Sequence, residues 1–229
     1  MIVLNQKLML TYIYEPIVNF SQKPIAYEIL TRPLASTDLA DFSAEKFFSD
    51  LDKERKIEIF LDQIEEAKKY KDIFIRQKTK LNINIDDDHI DFLKSKPDLL
   101  TEISNLGFIA FEIHERCKKI SKNDDEDFKV FRSYGIELWL DDLDIYKMCV
   151  NETNLTYFDG IKIDKHFYWH LLKMHEREMY FIQLIQGLRK LGKKIVVEGV
   201  ENKFHFAFLL NKHVDGMQGY AWPSKRNVE

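Results

Sequence analysis

An α/β fold of the (β/α)8, TIM-like barrel type is predicted by three observations. Short runs rich in β-branched and aromatic residues alternate with longer amphipathic stretches rich in Lys and Glu, as in βα units around a parallel sheet. Eight strand-like runs occur, which is the number that the barrel needs. The chain has 229 residues, 45% hydrophobic and 31% charged, a composition that supports one substantial core and argues against disorder. We therefore expect residues 1–229 to form a single barrel domain.

The predicted strands are residues 8–14, 24–30, 81–85, 108–113, 137–140, 160–163, 194–197 and 216–220. The predicted helices are residues 43–51, 54–70, 89–93, 97–106, 124–134, 166–191 and 201–210. In the second of these helices Ile57, Phe60, Leu61 and Ile64 recur at three- and four-residue spacing, which is typical of an amphipathic helix. A doubly wound open sheet is the competing topology, but no G-x-G-x-x-G turn supports a dinucleotide-binding version of it.

Composition excludes several classes of protein. The 34 basic and 38 acidic residues give a net charge of -4, so no basic face for nucleic acid is expected. No run of about 18 apolar residues is present to span a membrane. The two cysteines follow no metal or redox spacing, and the start of the chain lacks the features of a secretion signal. We expect a cytoplasmic protein with free thiols.

Polar side chains follow the strand-like runs at the same end. Seven runs lead into a polar or ionisable residue or pair: Glu28, Asn84, Glu112, Asp141-Asp142, Lys162, Glu198 and Gln218. One such residue alone means little, because acidic side chains are common at turns and helix N-caps. In a barrel, however, the carboxyl ends of the strands meet on one face, where active sites lie. The repeated position therefore predicts a polar cluster at that face.

Five carboxylates in one cleft would repel each other strongly unless cations were bound. Carboxylate oxygens and an Asn carbonyl are hard ligands that suit Mg²⁺ or Mn²⁺, whereas zinc more often brings His or Cys. Asp141 and Asp142 are adjacent, so one could bridge two ions while its neighbour binds the second. Two ions about 3.5–4 Å apart activate a water and stabilise a phosphodiester transition state. Lys162 would orient that water or meet the phosphate, and the residues predict a metal-dependent phosphodiesterase.

From about residue 14 to residue 222 the chain resembles the EAL-domain family, bacterial phosphodiesterases that linearise cyclic di-GMP to pGpG. Asn84 is similar to the Asn of the family's S-V-N. The other matching segments are Tyr14-Glu15-Pro16-Ile17-Val18 (Y-Q-P-I-V), Glu28-Ile29-Leu30-Thr31-Arg32 (E-x-L-x-R), Glu112-Ile113-His114-Glu115 (E-I-T-E), Asp141-Asp142 (D-D), Lys162-Ile163-Asp164 (K-I-D), Glu198-Gly199-Val200-Glu201 (E-G-V-E) and Gln218-Gly219-Tyr220 (Q-G-Y). This ordered set is highly specific, although each piece alone is weak.

The resemblance implies a role for each matching residue. The first Mg²⁺ or Mn²⁺ ion would be held by Glu28, Asn84, Glu112 and Asp141, and the second by Asp141, Asp142 and Glu198. Lys162 would contact the attacking water or the first metal site, and Glu198 is also a general-base candidate. Substrate binding falls to Arg32, which would meet a phosphate or guanine, and to Gln218. The supporting residues would be Glu115, Asp164 and Glu201, with Glu201 and Gln218 acting through metal-bound water and Glu115 anchoring the loop after the adjacent aspartates.

Three departures from the family pattern stand out. Ile29 replaces the usual Ala, and the loop at residues 143–147 reads L-D-I-Y-K where the family has F-G-T-G-Y, so its backbone is more restricted. The chain ends soon after Trp222-Pro223, so the last barrel helix is expected to be short or missing. Two functions stay open: an active phosphodiesterase, which the intact ligand positions favour, and a weak or inactive cyclic di-GMP receptor or protein-binding regulator. A homodimer and a regulatory protein partner also stay open.

Overall fold

The computed structural model describes residues 3–4, 8–33, 47–48, 50–121, 126–144 and 152–228, and its strands form a closed barrel. The strands are β1 (Val3–Leu4), β2 (Leu8–Val18), β3 (Pro24–Pro33), β4 (Lys80–Ile85), β5 (Ile109–His114), β6 (Glu137–Leu143), β7 (Gly160–Ile163), β8 (Lys194–Val197) and β9 (Gly216–Met217). Strands β3 to β9 pair in parallel and in chain order, and β2 closes the ring between β3 and β9. The predicted α/β barrel is confirmed.

One strand departs from the parallel arrangement typical of βα units: β2 is antiparallel to both of its barrel neighbours. This strand also extends four residues beyond the predicted end, to Val18. A tight turn follows, in which the Asn19 N–H donates to the Lys23 carbonyl and Gln22 takes a φ of 57°. So short a connection can join only antiparallel strands, because a parallel pair needs a crossover of a dozen or more residues.

The described helices are α1 (Lys53–Lys69), α2 (Lys71–Gln77), α3 (Asp87–Lys94), α4 (Pro97–Leu106), α5 (Lys118–Ser121), α6 (Glu126–Ser133), α7 (Glu152–Leu155), α8 (Lys165–Leu172), α9 (Arg177–Lys190) and α10 (Lys203–Leu209). Ile57, Phe60 and Ile64 of α1 are buried, as the periodicity predicts. Most of the predicted helix at residues 43–51 lies outside the described residues.

The single helix predicted over residues 166–191 is wrong, because the segment forms α8 and α9 with a turn between them. The α8 helix ends where the N–H groups of Lys173 and Met174 bond to carbonyls three residues back. A continuous helix of this segment would be ~39 Å long. The neighbouring β7 has four residues and is far shorter, so one straight helix would run well past the barrel.

An apolar layer fills the lower part of the barrel. Its buried members are Ile17, Ala26, Ala110, Trp139 and Val196. Gly160 makes room for the indole, since a Cβ atom at this position would lie 2.3 Å from Trp139. The core between barrel and helices is larger and surrounds this layer.

The end of the described chain packs on the barrel without a helix, as expected. Residues 218–228 contain no helix. The backbone of Lys225 pairs with that of Tyr14 in β2 as an isolated antiparallel β-bridge. Val228 is buried. None of the helices in the described ranges is both long enough and apolar enough to cross a membrane.

Candidate active site

The pleat of the strands places a polar layer directly above the apolar one. Successive side chains on a strand point to opposite faces, so residues two apart share the barrel interior. Ala26, Ala110 and Val196 in the apolar layer are thus followed, two residues on, by carboxylates. The polar layer comprises Glu28, Asn82, Glu112, Asp141, Lys162, Glu198 and Gln218. Six of these residues are buried, and the side chain of the seventh, Glu198, is 14% exposed.

Lys162 lies at the centre of this layer and is fully buried. Its Nζ lies 3.0 Å from Glu28 Oε2, 3.0 Å from Glu112 Oε2, 2.9 Å from Asp141 Oδ1 and 2.8 Å from Glu198 Oε1. Burial acts to lower the pKa of Lys162, but the four carboxylates prevail and raise it well above its usual range. The ammonium group is therefore a permanent cation on which the carboxylates converge.

One lysine does not neutralise so many carboxylates. Burial raises the pKa of Asp141 to about 6, and it raises the pKa of Glu112 and Glu198 well above the usual range, with neighbouring carboxylates adding to each effect. Among the four carboxylates that contact Lys162, only Glu28 has a lowered pKa: burial acts to raise it, but Lys162 and the amides of Gln218 and Asn84 outweigh burial. Four buried carboxylates thus share one cation, an arrangement that favours the entry of further positive charge.

Asp141 and Asp142 approach the site together because the strand is irregular there. In a regular strand two adjacent side chains would point to opposite faces. The pairing of β6 with β7 shifts register between Leu140 and Leu143, and Asp142 has a left-handed φ of 57°. A bulge of this kind re-aims a side chain, and Asp is one of the few residues that tolerate this backbone conformation. Predicted strand 137–140 accordingly extends to Leu143.

Within the described ranges, two groups of acidic side chains bring ligand oxygens within 4.8 Å of one another. The groups are Glu28, Glu112 and Asp141, and Asp141, Asp142 and Glu198. All of these donors are hard oxygen ligands, which suit Mg²⁺ or Mn²⁺. Buried Gln218 Oε1 and Asn82 Oδ1 have no hydrogen-bond partner in the described part of the chain, so two more oxygens are available nearby. The residues present therefore fit two divalent cations.

Two predicted residues, Asn84 and Gln218, bond directly to Glu28. Asn84 Nδ2 donates to Glu28 Oε1 and Gln218 Nε2 donates to Glu28 Oε2, each at 2.7 Å. These contacts orient the Glu28 carboxylate. They use the amide nitrogens of Asn84 and Gln218, so the amide oxygens of the two side chains take no part in them. The direct metal bond of Asn84 and the substrate contact of Gln218 stay predictions.

Arg32 and Glu201 lie on the wall of a cavity of about 420 Å³ that opens above the polar layer. Glu15 lines the same cavity, and its Oε1 lies 3.9 Å from Arg32 Nη2. Glu201 is exposed, and its backbone N–H donates to His205 Nδ1. Both side chains can face a ligand, and their roles stay predictions.

The two remaining supporting residues make structural contacts beside the site. Glu115 Oε2 accepts the Asp144 N–H at 3.4 Å, and the Glu115 N–H donates to the Asp141 carbonyl. Asp164 caps α8 by accepting the Phe167 N–H at 2.9 Å. Glu115 thus contacts both ends of the segment that carries the aspartates. Of the altered loop, Leu143 and Asp144 are described, and residues 145–147 lie outside the described residues.

Two polar residues of the site were not singled out from the sequence. Buried Asn82 donates to Glu112 Oε1 at 2.7 Å, and His114 Nε2 lies 3.2 Å from Asp142 Oδ2. Strand alternation could have identified both residues, because residues two apart on a strand share a face. Asn82 precedes Asn84 by two residues, and His114 follows Glu112 by two.

A barrel with clustered carboxylates around a buried lysine at its carboxyl end defines a protein of the TIM-barrel class whose acidic residues could hold divalent cations. The chain belongs to the EAL domain family, whose model matches residues 4–224. Cyclic di-GMP phosphodiesterase PdeH of Escherichia coli (strain K12) is 25% identical over 212 residues, which cover 91% of this chain and 81% of PdeH.

Solved EAL structures share the fold at low sequence identity. The EAL-like domain protein YdiV superposes with a TM-score of 0.83 at 17% identity, covering 94% of this chain and 92% of YdiV. BlrP1 of Klebsiella pneumoniae, solved as a manganese and cyclic di-GMP complex, gives a TM-score of 0.74 at 19% identity. That match covers 94% of this chain and 56% of BlrP1. These likenesses establish the barrel of the EAL type.

Proposed function

We propose that this protein is a metal-dependent phosphodiesterase that hydrolyses cyclic di-GMP to linear pGpG, with Mg²⁺ or Mn²⁺ as its cations. One observation carries the proposal: the two carboxylate groups share Asp141 and surround the buried Lys162. Support comes from the PdeH relative, which is a cyclic di-GMP phosphodiesterase, and from BlrP1, which was solved with manganese and cyclic di-GMP. Action in the cytoplasm is part of this proposal.

The first carboxylate group, with Asn84, would hold one cation, and Asp141, Asp142 and Glu198 would hold the second. When bound, two such cations activate a water and stabilise the charge of the phosphodiester transition state. Glu198 lies 2.8 Å from Lys162 Nζ and lines the first cavity, so it is also the general-base candidate that would take a proton from the attacking water. Lys162 keeps its charge beside the reacting phosphate and stabilises negative charge there.

The cavities beside the carboxylates suit a substrate with two halves. A second, mainly apolar cavity of about 420 Å³ lies next to the first. Leu30, Arg32, Asp141 and Asp142 line both cavities. A phosphodiester at this junction would meet the carboxylate-bound cations and the forked guanidinium of Arg32, with one nucleoside in each cavity.

A second candidate function is a cyclic di-GMP receptor or protein-binding regulator with little or no turnover. Two observations favour it: the loop after Asp142 lacks the glycines of the family pattern, and the EAL-like protein YdiV shares the fold over 94% of this chain. The same cavities would then bind the ligand without cleaving it. A protein partner belongs to this candidate as a prediction, and a homodimer is a prediction under either candidate.

The test is hydrolysis of cyclic di-GMP by the purified chain with Mn²⁺ or Mg²⁺, followed by chromatography of pGpG. Glu28→Gln should lower turnover about 100-fold, because the first cation loses a carboxylate ligand. Glu137→Gln, at the opposite end of the barrel beside Lys80 and Lys194, is the control and should retain activity.

Three results would contradict the phosphodiesterase proposal. Wild-type protein that binds cyclic di-GMP without turnover would support the receptor, and protein that neither binds nor cleaves it would support a protein partner. Equal activity of Glu28→Gln and the wild type would place the chemistry elsewhere.

A further inference from the structure

His114 stands at the rim of the candidate site and contacts one of its aspartates. It is the last residue of β5, two residues beyond Glu112, and it pairs with Asp141 in the register of β5 and β6. Its Nε2 lies 3.2 Å from Asp142 Oδ2, and the His114 and Asp142 side chains are 40% and 38% exposed. Where this chain has His114, the E-I-T-E pattern has Thr, so the imidazole is a feature of this chain.

The backbone determines which nitrogen of His114 faces Asp142. The Arg116 N–H donates to His114 Nδ1 at 3.0 Å. A nitrogen that accepts a hydrogen bond carries no proton, so in the neutral ring the proton lies on Nε2. The Nε2–H therefore donates to Asp142 Oδ2. Direct metal binding through Nε2 would move the proton to Nδ1, where the Arg116 N–H already points.

Asp142 is the acidic residue of the site that most needs such a partner. Its backbone is left-handed and it lies at the bulge of β6, so the strand pairing does not hold its side chain as it holds those of Glu112 and Lys162. The carboxylate oxygens of Glu198 and Asp142 lie within 4.8 Å of one another, so Glu198 faces Asp142 from the side of the second carboxylate group. His114 approaches Asp142 from the neighbouring β5 and supplies a hydrogen-bond donor that defines the direction of the carboxylate.

We propose that His114 is a positioning residue that holds Asp142 ready for the second cation, through its Nε2–H and the Arg116 N–H behind it. This inference rests on the proposed function, because it assumes a cation between Asp141, Asp142 and Glu198. Partners behind metal ligands fix ligand orientation, and their loss costs about 10–100-fold in metal affinity. His114 would thus set the affinity of the second position and leave the first unaffected.

The test is a titration of the metal-free full chain with Mn²⁺, with bound ion followed by electron paramagnetic resonance. Wild type should bind two ions. His114→Ala should keep the first affinity and weaken the second about 10–100-fold. His114→Gln keeps a side-chain N–H that can reach Asp142 and should recover most of the second affinity. His175→Ala is the control, since this exposed histidine lines neither cavity, and it should bind both ions normally.

Several outcomes would overturn the inference. They are unchanged binding in His114→Ala, an equal loss at both positions, and failure of His114→Gln to restore the second ion. A nitrogen coupling to bound Mn²⁺ that disappears in His114→Ala would make His114 a direct ligand instead. Any of these results, with wild-type turnover intact, leaves the phosphodiesterase standing. Absence of Mn²⁺ binding in the wild type would overturn both proposals.

Discussion

Two layers of side chains fill the interior of this barrel, and they differ sharply although they come from the same strands. The lower layer is apolar and packs around Trp139, whereas the upper layer packs carboxylates around Lys162. Trp139 and Asp141 are two residues apart on β6, as are Gly160 and Lys162 on β7. The difference shows that two residues along the same strand separate a layer stabilised by packing from a layer stabilised by charge.

Removal of the central charge should have the largest effect on this comparison. Lys162→Met leaves four carboxylates around an apolar group, and the free energy of unfolding without divalent ions should fall by about 3–5 kcal/mol. Added Mn²⁺ should restore part of this loss, because it supplies the missing positive charge. Urea unfolding with chelator and then with Mn²⁺ measures both changes.

Lys193→Met is the control for that prediction. Lys193 is also buried, but its Nζ donates to the Phe158 carbonyl, away from the polar layer. The free energy of unfolding should fall less for Lys193→Met than for Lys162→Met, and the fall should not depend on Mn²⁺. Identical behaviour of the two variants would show that the polar layer does not depend on its central charge.

The lower layer should respond to volume. The Cβ of Gly160→Ala would lie 2.3 Å from Trp139, so the indole must shift, and stability should fall by about 1–3 kcal/mol. Gly187→Ala in α9 meets nothing within 4 Å and should gain about 0.5–1 kcal/mol, because Ala favours a helix over Gly. Thermal unfolding compares the two variants, and a destabilised Gly187→Ala or an unchanged Gly160→Ala would contradict the account of the lower layer.

Two asparagines of β4, Asn82 and Asn84, allow a buried hydrogen bond to a site carboxylate to be compared with an exposed one. Each donates to a carboxylate at 2.7 Å, but Asn82 is 1% exposed and Asn84 lies exposed at the rim. Asn82→Ala should cost about 1–3 kcal/mol, because it leaves buried Glu112 without this donor. Asn84→Ala should cost under about 0.5 kcal/mol, because water replaces the lost bond. Denaturant unfolding that ranks the two variants in the opposite order would refute this view.

A smaller effect than the loss of Asn82 is expected outside the barrel, at Asp86, the N-cap of α3. Asp86 Oδ1 accepts the N–H groups of Asp88 and His89, and Lys56 Nζ lies 2.8 Å from Oδ2. Asp86→Ala should lose about 1 kcal/mol, the usual value of a cap. Asp86→Asn keeps the cap without the charge, so it should be more stable than the Ala variant.

The same carboxylate gives a pH dependence of known sign. Burial acts to raise the pKa of Asp86, but hydrogen bonds from His89 and Lys56 outweigh it and lower the pKa below the ordinary 3.8. The stabilisation is therefore complete above about pH 4 and is lost as the pH falls through the lower, folded-state pKa. Unfolding between pH 2 and 6 should show less acid sensitivity at this site in Asp86→Asn than in the wild type.

Periodicity predicted much of this structure. Alternating strands and helices indicated the barrel, and polar residues at seven strand ends indicated the face where the site lies. The break between α8 and α9 was missed, because apolar residues continue through the turn and the helix length depends on the barrel beside it. The antiparallel β2 was missed because strand propensity carries no direction.

The sequence by itself determined which side chains face the barrel interior along the regular parts of the strands, since the pleat alternates there with every residue. Tertiary structure alone decided which of them touch: Lys162 with three carboxylates from other strands and with Glu198 directly after β8, Asn82 with Glu112, and His114 with Asp142. These contacts depend on strand register and on one bulge, where closure of the whole sheet outweighs local preference. That is why residue types predicted the chemistry, and only the closed barrel revealed the partners.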